Sequence, residues 1–307
     1  MNRKTIGKLL RRVLPWKVYK LIANGFMVVP CYYRDIISEA EQYFDFAAKE
    51  SDERTLLLLR KHAHIIDKGL HRSDVSPNHG KENYEALCRE VKILSGTRFK
   101  NDPTYQWAVL KLKQYESLQE QPSEFVPLSG AQVLPAVTYD RFLLLARQRR
   151  SNRFFTDRPL TEDVVDKIKE AALWAASSCN KQAVKLFETT DMDIARQCLS
   201  LCAGGTCFGE IIPSFWAFAA DTRGYVWPSE MYLPSVDTSL AAQNAFLAAQ
   251  TLGVTGTILS WSQRKADEQQ RLRQLLEIPD EYMIVFCGVM GYASQSTMTP
   301  PRKSVAS

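Results

Sequence analysis

The 307-residue sequence predicts an α+β layer fold preceded by a mostly helical N-terminal region. Three observations predict it. Residues 35–120 are rich in Ala, Glu, Leu and Lys, with helical spacing of apolar positions and few breakers. Residues beyond Thr138 instead mix long helical patterns with short apolar, aromatic runs of strand length. Between the two, Gln121 to Val137 carries Pro122, Pro127, Gly130 and Pro135 and reads as a linker. The expected organisation is a basic arm (1–34), a helical extension (35–120), a linker (121–138) and a C-terminal domain (139–307).

The elements follow in order. Ile36–Leu59, Glu82–Leu94 and Tyr105–Leu118 are predicted helices, with a turn-rich segment from Lys68 to Lys81. Asp140–Arg149 and a segment opened by Thr161 after Pro159, running to about Ala176, are predicted helices of the C-terminal domain. Val184–Thr189, Ile211–Ala220 and Tyr282–Val289 read as strands, the last two buried. Thr238–Leu252 is an Ala-rich helix ended by Gly253.

Composition excludes several classes. With 45% hydrophobic and 24% charged residues the chain is an ordinary globular protein. Seven cysteines without paired spacing, and no recognisable signal peptide, point to a reduced, cytoplasmic setting. The net charge of +5 is unevenly held. Eight basic residues and no acid fall within 1–34, which leaves −3 for the rest. A mildly acidic body with a basic arm is not the charge distribution of a nucleic-acid-binding fold. The apolar stretch Leu21–Tyr33 contains Asn24, Gly25 and Pro30 and is shorter than the ~20 residues a spanning helix needs. Ile6, Leu9, Leu10, Val13 and Trp16 recur at helical spacing among Lys8, Arg11, Arg12 and Lys17. That pattern fits peripheral contact of residues 3–20 with an anionic membrane at its inner face; the plainer reading is a helix docked on its own protein with a solvated basic face.

Four constellations carry chemistry. Arg149-Arg150-Ser151-Asn152-Arg153 places three guanidinium groups and a hydroxyl within five residues, a donor set suited to phosphate oxygens. In an extended segment residues 149, 151 and 153 share one side. A solvated basic face has the same composition. Ser177, Ser178, Asn180 and Gln182 follow the helix opened at Thr161; small polar side chains admit a planar ring, and the two amides both donate and accept. A plain helix-ending turn would look similar. Gly253 and Gly256, with Thr257, follow the Ala-rich helix and permit close backbone approach. A helix cap explains Gly253 but not Gly256. Arg302 and Lys303 form a late cationic pair, or a basic tail.

In this order the four resemble the nitroreductase family. The stretch Arg149-Arg150-Ser151-Asn152-Arg153-Phe154-Phe155, then Asp157-Arg158-Pro159-Leu160, is similar to the family's opening. Ala176-Ser177-Ser178-Cys179-Asn180-Lys181-Gln182-Ala183 is similar to its Pro-Ser-x-x-Asn-x-Gln-Pro-Trp segment, with Ala176 and Ala183 in place of two prolines and Val184 where Trp is common. Ala242–Ala249, Leu252–Thr257, Gly288–Tyr292 and Arg302-Lys303 resemble its central helix, Gly-rich turn, last strand and basic ending. The resemblance covers about 155 of 307 residues.

The resemblance implies a nitroreductase-like fold, a mixed and mainly antiparallel sheet flanked by helices. It implies a flavoprotein homodimer with FMN at the interface. Residues Arg149, Arg150, Ser151, Arg153 and Arg302 would hold the phosphate, and Ser177, Ser178, Asn180, Gln182, Gly256 and Thr257 would line the rest. It implies an oxidoreductase in which NADH or NADPH reduces FMN and a small-molecule acceptor receives the electrons; no side chain is an obligatory acid or base. An alternative is a flavin-binding accessory or regulatory protein of a membrane-associated assembly, without turnover. Asp67-Lys68-Gly69-Leu70 with Asn78-His79-Gly80-Lys81 is similar to an extension in some bacterial nitroreductase-like proteins of polysaccharide gene sets.

No metal site is expected. His62, His64, His71 and His79 lie near Asp67 and Asp74 at spacings that fit no standard site. Cys198, Cys202 and Cys207 do not match an iron–sulfur run. Ser177 and Ser178 lack the Gly-x-Ser-x-Gly setting of a hydrolase.

Overall fold

In the computed structural model the described residues are 11, 13–23, 50–130, 135–261 and 266–304. The expected helical stretch 36–49 and part of the linker (131–134) lie outside them.

A short helix α1 (Trp16–Ala23) lies in the arm. The helical extension is a three-helix unit of α2 (Asp52–Leu70), α3 (Lys81–Leu94) and α4 (Pro103–Glu120). Helix α2 starts where Ser51 accepts from the Arg54 amide, and α4 starts at Pro103 behind the cap Asp102, which accepts from the Thr104 amide. Leu56, Leu59, Ala63, Ile66 and Leu70 of α2 pack with Leu87 and Leu94 of α3 and Ala108, Tyr115 and Leu118 of α4. The turn expected from Lys68 begins only after Leu70. Gly69 is tolerated in the last turn of α2, where the His79 ring packs against it and a Cβ would stand 3.3 Å from the ring.

The C-terminal domain is an antiparallel sheet in the order β1-β2-β4-β3, with helices on both faces. Its strands are β1 (Val184–Thr189), β2 (Phe215–Asp221), β3 (Thr255–Ser260) and β4 (Tyr282–Gly291). Its helices are α5 (Tyr139–Gln148), α6 (Glu162–Leu173), α7 (Met192–Ser200), α8 (Leu233–Thr251) and α9 (Ala266–Leu276). A parallel bridge from Ser151 to Gly256 makes the sheet mixed.

Alternation along β2 explains the layers. Phe215, Ala217 and Ala219 face one core with Ala195, Cys198 and Leu199 of α7 and Leu272 and Leu276 of α9. Trp216 and Phe218 face the other, with Ile168 of α6 and Ala241, Ala242, Ala245, Phe246 and Ala249 of α8. All seven residues of β2 are buried.

Three sequence expectations shift. Strand β2 begins at Phe215 rather than Ile211, after Pro213, which has no amide to donate to a ladder. Strand β3 and helix α9 were not anticipated. Gly253, at φ +72°, ends α8 as expected, but Gly256 belongs to β3. A Cβ at Gly256 would run into the Val289 carbonyl oxygen, so strand packing alone requires glycine there.

Candidate functional site

The first cluster forms where the segment after α5 runs beside β3. Ser151 bridges Gly256, the Asn152 amide donates to the Gly256 carbonyl at 3.4 Å, and the Thr255 hydroxyl donates to the Arg150 carbonyl at 3.2 Å. Asn152 is buried while Ser151 and Arg153 are exposed, the alternation an extended segment gives. The C-terminal segment returns to the same edge. Arg150 donates to its own neighbour's carbonyl, on Arg149, and to the Thr299 hydroxyl, both at 2.7 Å. Partial burial, and then the positive charges of Arg150 and Arg302, push the Arg149 guanidinium below its usual pKa. None of the ion pairs among the described residues involves Arg149, Arg150 or Arg302. This edge is therefore an uncompensated cationic patch, and an anion bound there relieves mutual repulsion.

Not every predicted residue joins it. Arg153 leans outward, with its guanidinium 5.9 Å from the Phe208 ring centroid. Thr257 is buried and its hydroxyl donates to the Asn152 carbonyl, and Gly256 is taken up in strand pairing. These two shape the edge and leave the donors to the arginines and Ser151.

The second cluster is the turn Ser177–Gln182 between α6 and β1. Cys179, Asn180 and Gln182 have φ of +51°, +53° and +53°. Left-handed backbone at non-glycine residues costs on the order of 1 kcal/mol each and persists only where surroundings enforce it. They do so here. The Ser178 amide and hydroxyl both donate to the buried Asp237 carboxylate of α8, at 3.0 and 2.8 Å, and the Tyr225 hydroxyl donates to the same group at 2.8 Å. The Gln182 amide donates to the Ser177 hydroxyl at 3.1 Å, and the Gln182 side-chain amide donates to Asn180 Oδ1 at 3.1 Å. Lys181 is fully buried and its ammonium lies 2.6 Å from Glu230 Oε1 and 4.7 Å from the Tyr225 ring centroid. A cleft beside the turn is lined by Leu173, Ala176, Ser177, Gln182 and Asp237.

Asp237, Lys181, Glu230 and Tyr225 were missed in the sequence. One signal was available: Asp237 is the single charged residue in the otherwise apolar or polar-neutral α8.

The two clusters stand at opposite corners of the sheet. The turn leads into edge strand β1 at Val184, which pairs with Ala220 and through it with Met283. The arginines flank the opposite edge, β3, where Gly256 pairs with Met290. Three strand spacings across and seven residues along give a separation of roughly 25 Å. One chain cannot bring both clusters to the two ends of one small ligand.

An apolar surface accompanies them. Helix α5 packs on α8 yet has no buried residue, and it exposes Tyr139, Phe142 and Leu144. Leu173 and Trp174 (82% exposed) at the end of α6, and Val236 and Leu240 on α8, are also open to solvent.

Two of the histidines have local partners. His62 Nδ1 is 2.8 Å from Glu90 Oε1, and His71 Nδ1 is 2.8 Å from the Asp67 carbonyl. Among the described residues no group of three His, Cys, Asp or Glu side chains is placed to hold a metal ion, and no helix is long and apolar enough to cross a membrane.

This layered α+β domain, with a cationic edge and a strained polar turn, has relatives among flavin enzymes. Residues 146–206 match the nitroreductase family. An Archaeoglobus fulgidus protein named for NADH dehydrogenase or NAD(P)H nitroreductase activity is 29% identical over 147 residues, 47% of this chain and 80% of that protein. An FMN reductase [NAD(P)H] of Bacillus subtilis is 30% identical over 169 residues, 50% of this chain and 66% of that protein. Among solved structures, the NADPH:FMN oxidoreductase of Vibrio harveyi in complex with NAD+ aligns over 53% of this chain and 74% of its own, at 24% identity and a TM-score of 0.47. The chain thus spans just under two thirds of several relatives. The C-terminal half of the chain is similar to proteins of the nitroreductase family, and the relatives it matches are named as NAD(P)H-dependent flavin oxidoreductases and nitroreductases. The helical unit α2–α4 lies outside the residues that match the family.

Proposed function

We propose that the protein is an FMN-dependent oxidoreductase, working as a homodimer, that takes two electrons from NADH or NADPH and passes them to a small-molecule acceptor. The observation that carries this reading is the cationic edge of Arg149, Arg150 and Arg302, with Ser151 beside it and, among the described residues, no carboxylate paired with those arginines. Forked guanidinium donors suit a phosphate, and the arrangement is electrostatically incomplete without an anion. When bound, FMN supplies the electron-transfer chemistry.

This chain's residues bind and orient. Arg149, Arg150, Ser151 and Arg302 would take the phosphate, with Arg153 at the rim. Ser177, Ser178, Asn180 and Gln182 would meet the ring edge, where the amides of Asn180 and Gln182 both donate and accept. Because the clusters lie at opposite corners, each site would take its arginines from one subunit and its polar turn from the other. The exposed side chains of α5, α6 and α8 give such a dimer an apolar face.

The test is titration of the purified protein with FMN and riboflavin, followed by NADH or NADPH under anaerobic conditions. Stoichiometric FMN uptake, weaker riboflavin uptake and bleaching by a nicotinamide nucleotide are expected. A protein that takes up neither flavin overturns the reading.

A second reading, a flavin-binding accessory protein held at an anionic membrane surface, is favoured by α1. Trp16 and Tyr19 stack on it with ring centroids 5.7 Å apart, Leu21 is 75% exposed, and Lys17 and Lys20 share one flank. Co-sedimentation with vesicles containing phosphatidylglycerol, but not with pure phosphatidylcholine, is its expected outcome; flavin uptake without NAD(P)H oxidation would select it over the first reading.

A further inference from the structure

We propose that the N-terminal helical unit is a working part of the candidate site, with Arg60 the positioning residue that ties α2 to the polar turn Ser177–Gln182. The consequence for flavin rests on the oxidoreductase reading above; the mechanical claim does not.

Helix α2 has two faces. One carries Leu56, Leu59, Ala63, Ile66 and Leu70 into its own three-helix unit. The other, at spacing of three and four residues, carries Leu57, Arg60 and Lys61 onto the C-terminal domain. Leu57 is buried with Ala183, Ala220 and Tyr225, which flank the turn on its β1 side. Gly224 makes room for it, since a Cβ there would stand 3.2 Å from Leu57. Arg60 spans the junction. Its Nε donates to the Thr104 hydroxyl at 2.9 Å and its Nη2 to Asp102 at 3.2 Å, both at the start of α4. Its Nη1 donates to the Lys181 carbonyl at 3.5 Å, a long bond from a guanidinium fixed at two other points. Arg223 closes the same joint: it pairs bidentately with Asp221 and donates to the Ser51 hydroxyl at the head of α2, at 3.2 Å.

The turn needs such a hold. Three of its residues sit in left-handed backbone without being glycine, and such backbone relaxes unless its neighbours prevent it. Asp237 holds Ser178 from the side of α8, and Glu230 holds the Lys181 ammonium. The Lys181 carbonyl and Ala183 are held by the helical unit. The family match at 146–206 contains the turn but not α2. This chain therefore carries its own clamp on a segment that would touch the ring end of the flavin, and not the phosphate end.

That predicts a signature distinct from a phosphate-site defect. Arg60→Met should loosen the ring end, so FMN and riboflavin should weaken by one common factor, about 5- to 20-fold. In flavin-free protein, hydrogen exchange at the amides of Asn180, Lys181 and Gln182 should quicken about tenfold, with the β2 amides Ala217–Ala219 unchanged. Arg60→Lys should recover part of both effects. Asp102→Asn, which removes the charge that anchors Arg60 to α4 but leaves its Thr104 bond and the turn untouched, should produce a weaker version at the same amides and serves if Arg60→Met does not fold. Unchanged exchange at the turn in both variants, or equal acceleration throughout the sheet, overturns the proposal. Failure of the wild type to take up flavin would overturn the oxidoreductase reading instead, and the exchange result would still decide the clamp.

Discussion

Glu230→Gln should be among the most destabilising single changes in the C-terminal domain. Lys181 has no exposed side-chain surface, and its ammonium has the Glu230 carboxylate at 2.6 Å. Glu230 itself retains 13% of its side-chain surface and also accepts from the Val226 and Trp227 amides at 2.9 and 3.2 Å. Gln keeps the shape and an oxygen for those amides but strands a positive charge where water does not reach. Removing one partner of a buried pair costs about 3–5 kcal/mol. Lys181→Met leaves the charge on the partner that water and two amides still reach, so about 1–3 kcal/mol is expected. The double variant should recover part of the larger loss, because no uncompensated buried charge remains. Urea unfolding followed by tryptophan fluorescence measures all three. The pH dependence gives a second check. Burial pushes the Glu230 carboxyl up, but the hydrogen bond and charge of Lys181 outweigh it, and the group is held below its ordinary value of 4.5. Its pair therefore stabilises fully above the unfolded value and fades as pH falls through the lower folded one. Wild type and Glu230→Gln should converge in acid. A larger loss for Lys181→Met than for Glu230→Gln, or a gap independent of pH, would refute the reasoning.

Further outcomes follow from the same geometry. Arg149→Ala should weaken FMN by ~30-fold or more while riboflavin shifts by less than about twofold, and Arg153→Ala should cost less than Arg149→Ala; parallel flavin titrations measure both. Gly256→Ala forces a methyl group against the Val289 carbonyl and should lower stability by at least ~3 kcal/mol in urea unfolding, with no substitution-specific effect on riboflavin against FMN. With a thiol reagent at pH 8, exposed Cys207 should react early and Cys198, buried and pushed up to about 12, should remain silent until the protein unfolds. Leu240→Glu should shift the sedimenting species towards monomer, since Leu240 is an exposed apolar side chain of α8.

Much of the sheet was legible because its signals are local. Val184–Thr189 is β1 to the residue, and Tyr282 opens β4, because each is an apolar run of strand length with clear edges. The run of alanines in α8 announces a helix by propensity alone. Strand β3 was hidden because glycines at 253 and 256 read as a turn, and only pairing with β4 shows that the second glycine sits in a strand. The arginine edge was legible as a motif, but which guanidinium faces inward was not: Arg149 is half-buried among like charges, whereas Arg153 turns to Phe208. Least legible was the support of the polar turn. Lys181 reads as one more polar turn residue, and only tertiary structure brings Tyr225, Glu230, Asp237 and Arg60 to the turn, from 44 to 121 positions away in the sequence.

The diagonal placement of the arginines and the polar turn has a genetic consequence. In the two-fold pair proposed above, each site would draw one corner from each chain. A chain damaged only at Arg149 and a chain damaged only at Asn180 would each form barren pairs with themselves. Mixed together, one pocket of each mixed pair would collect both lesions and the other would collect none. Random reassortment makes half the pairs mixed, so about one pocket in four would be whole. Two inactive alleles of this gene would then complement each other, which two lesions in a pocket built from a single chain never do.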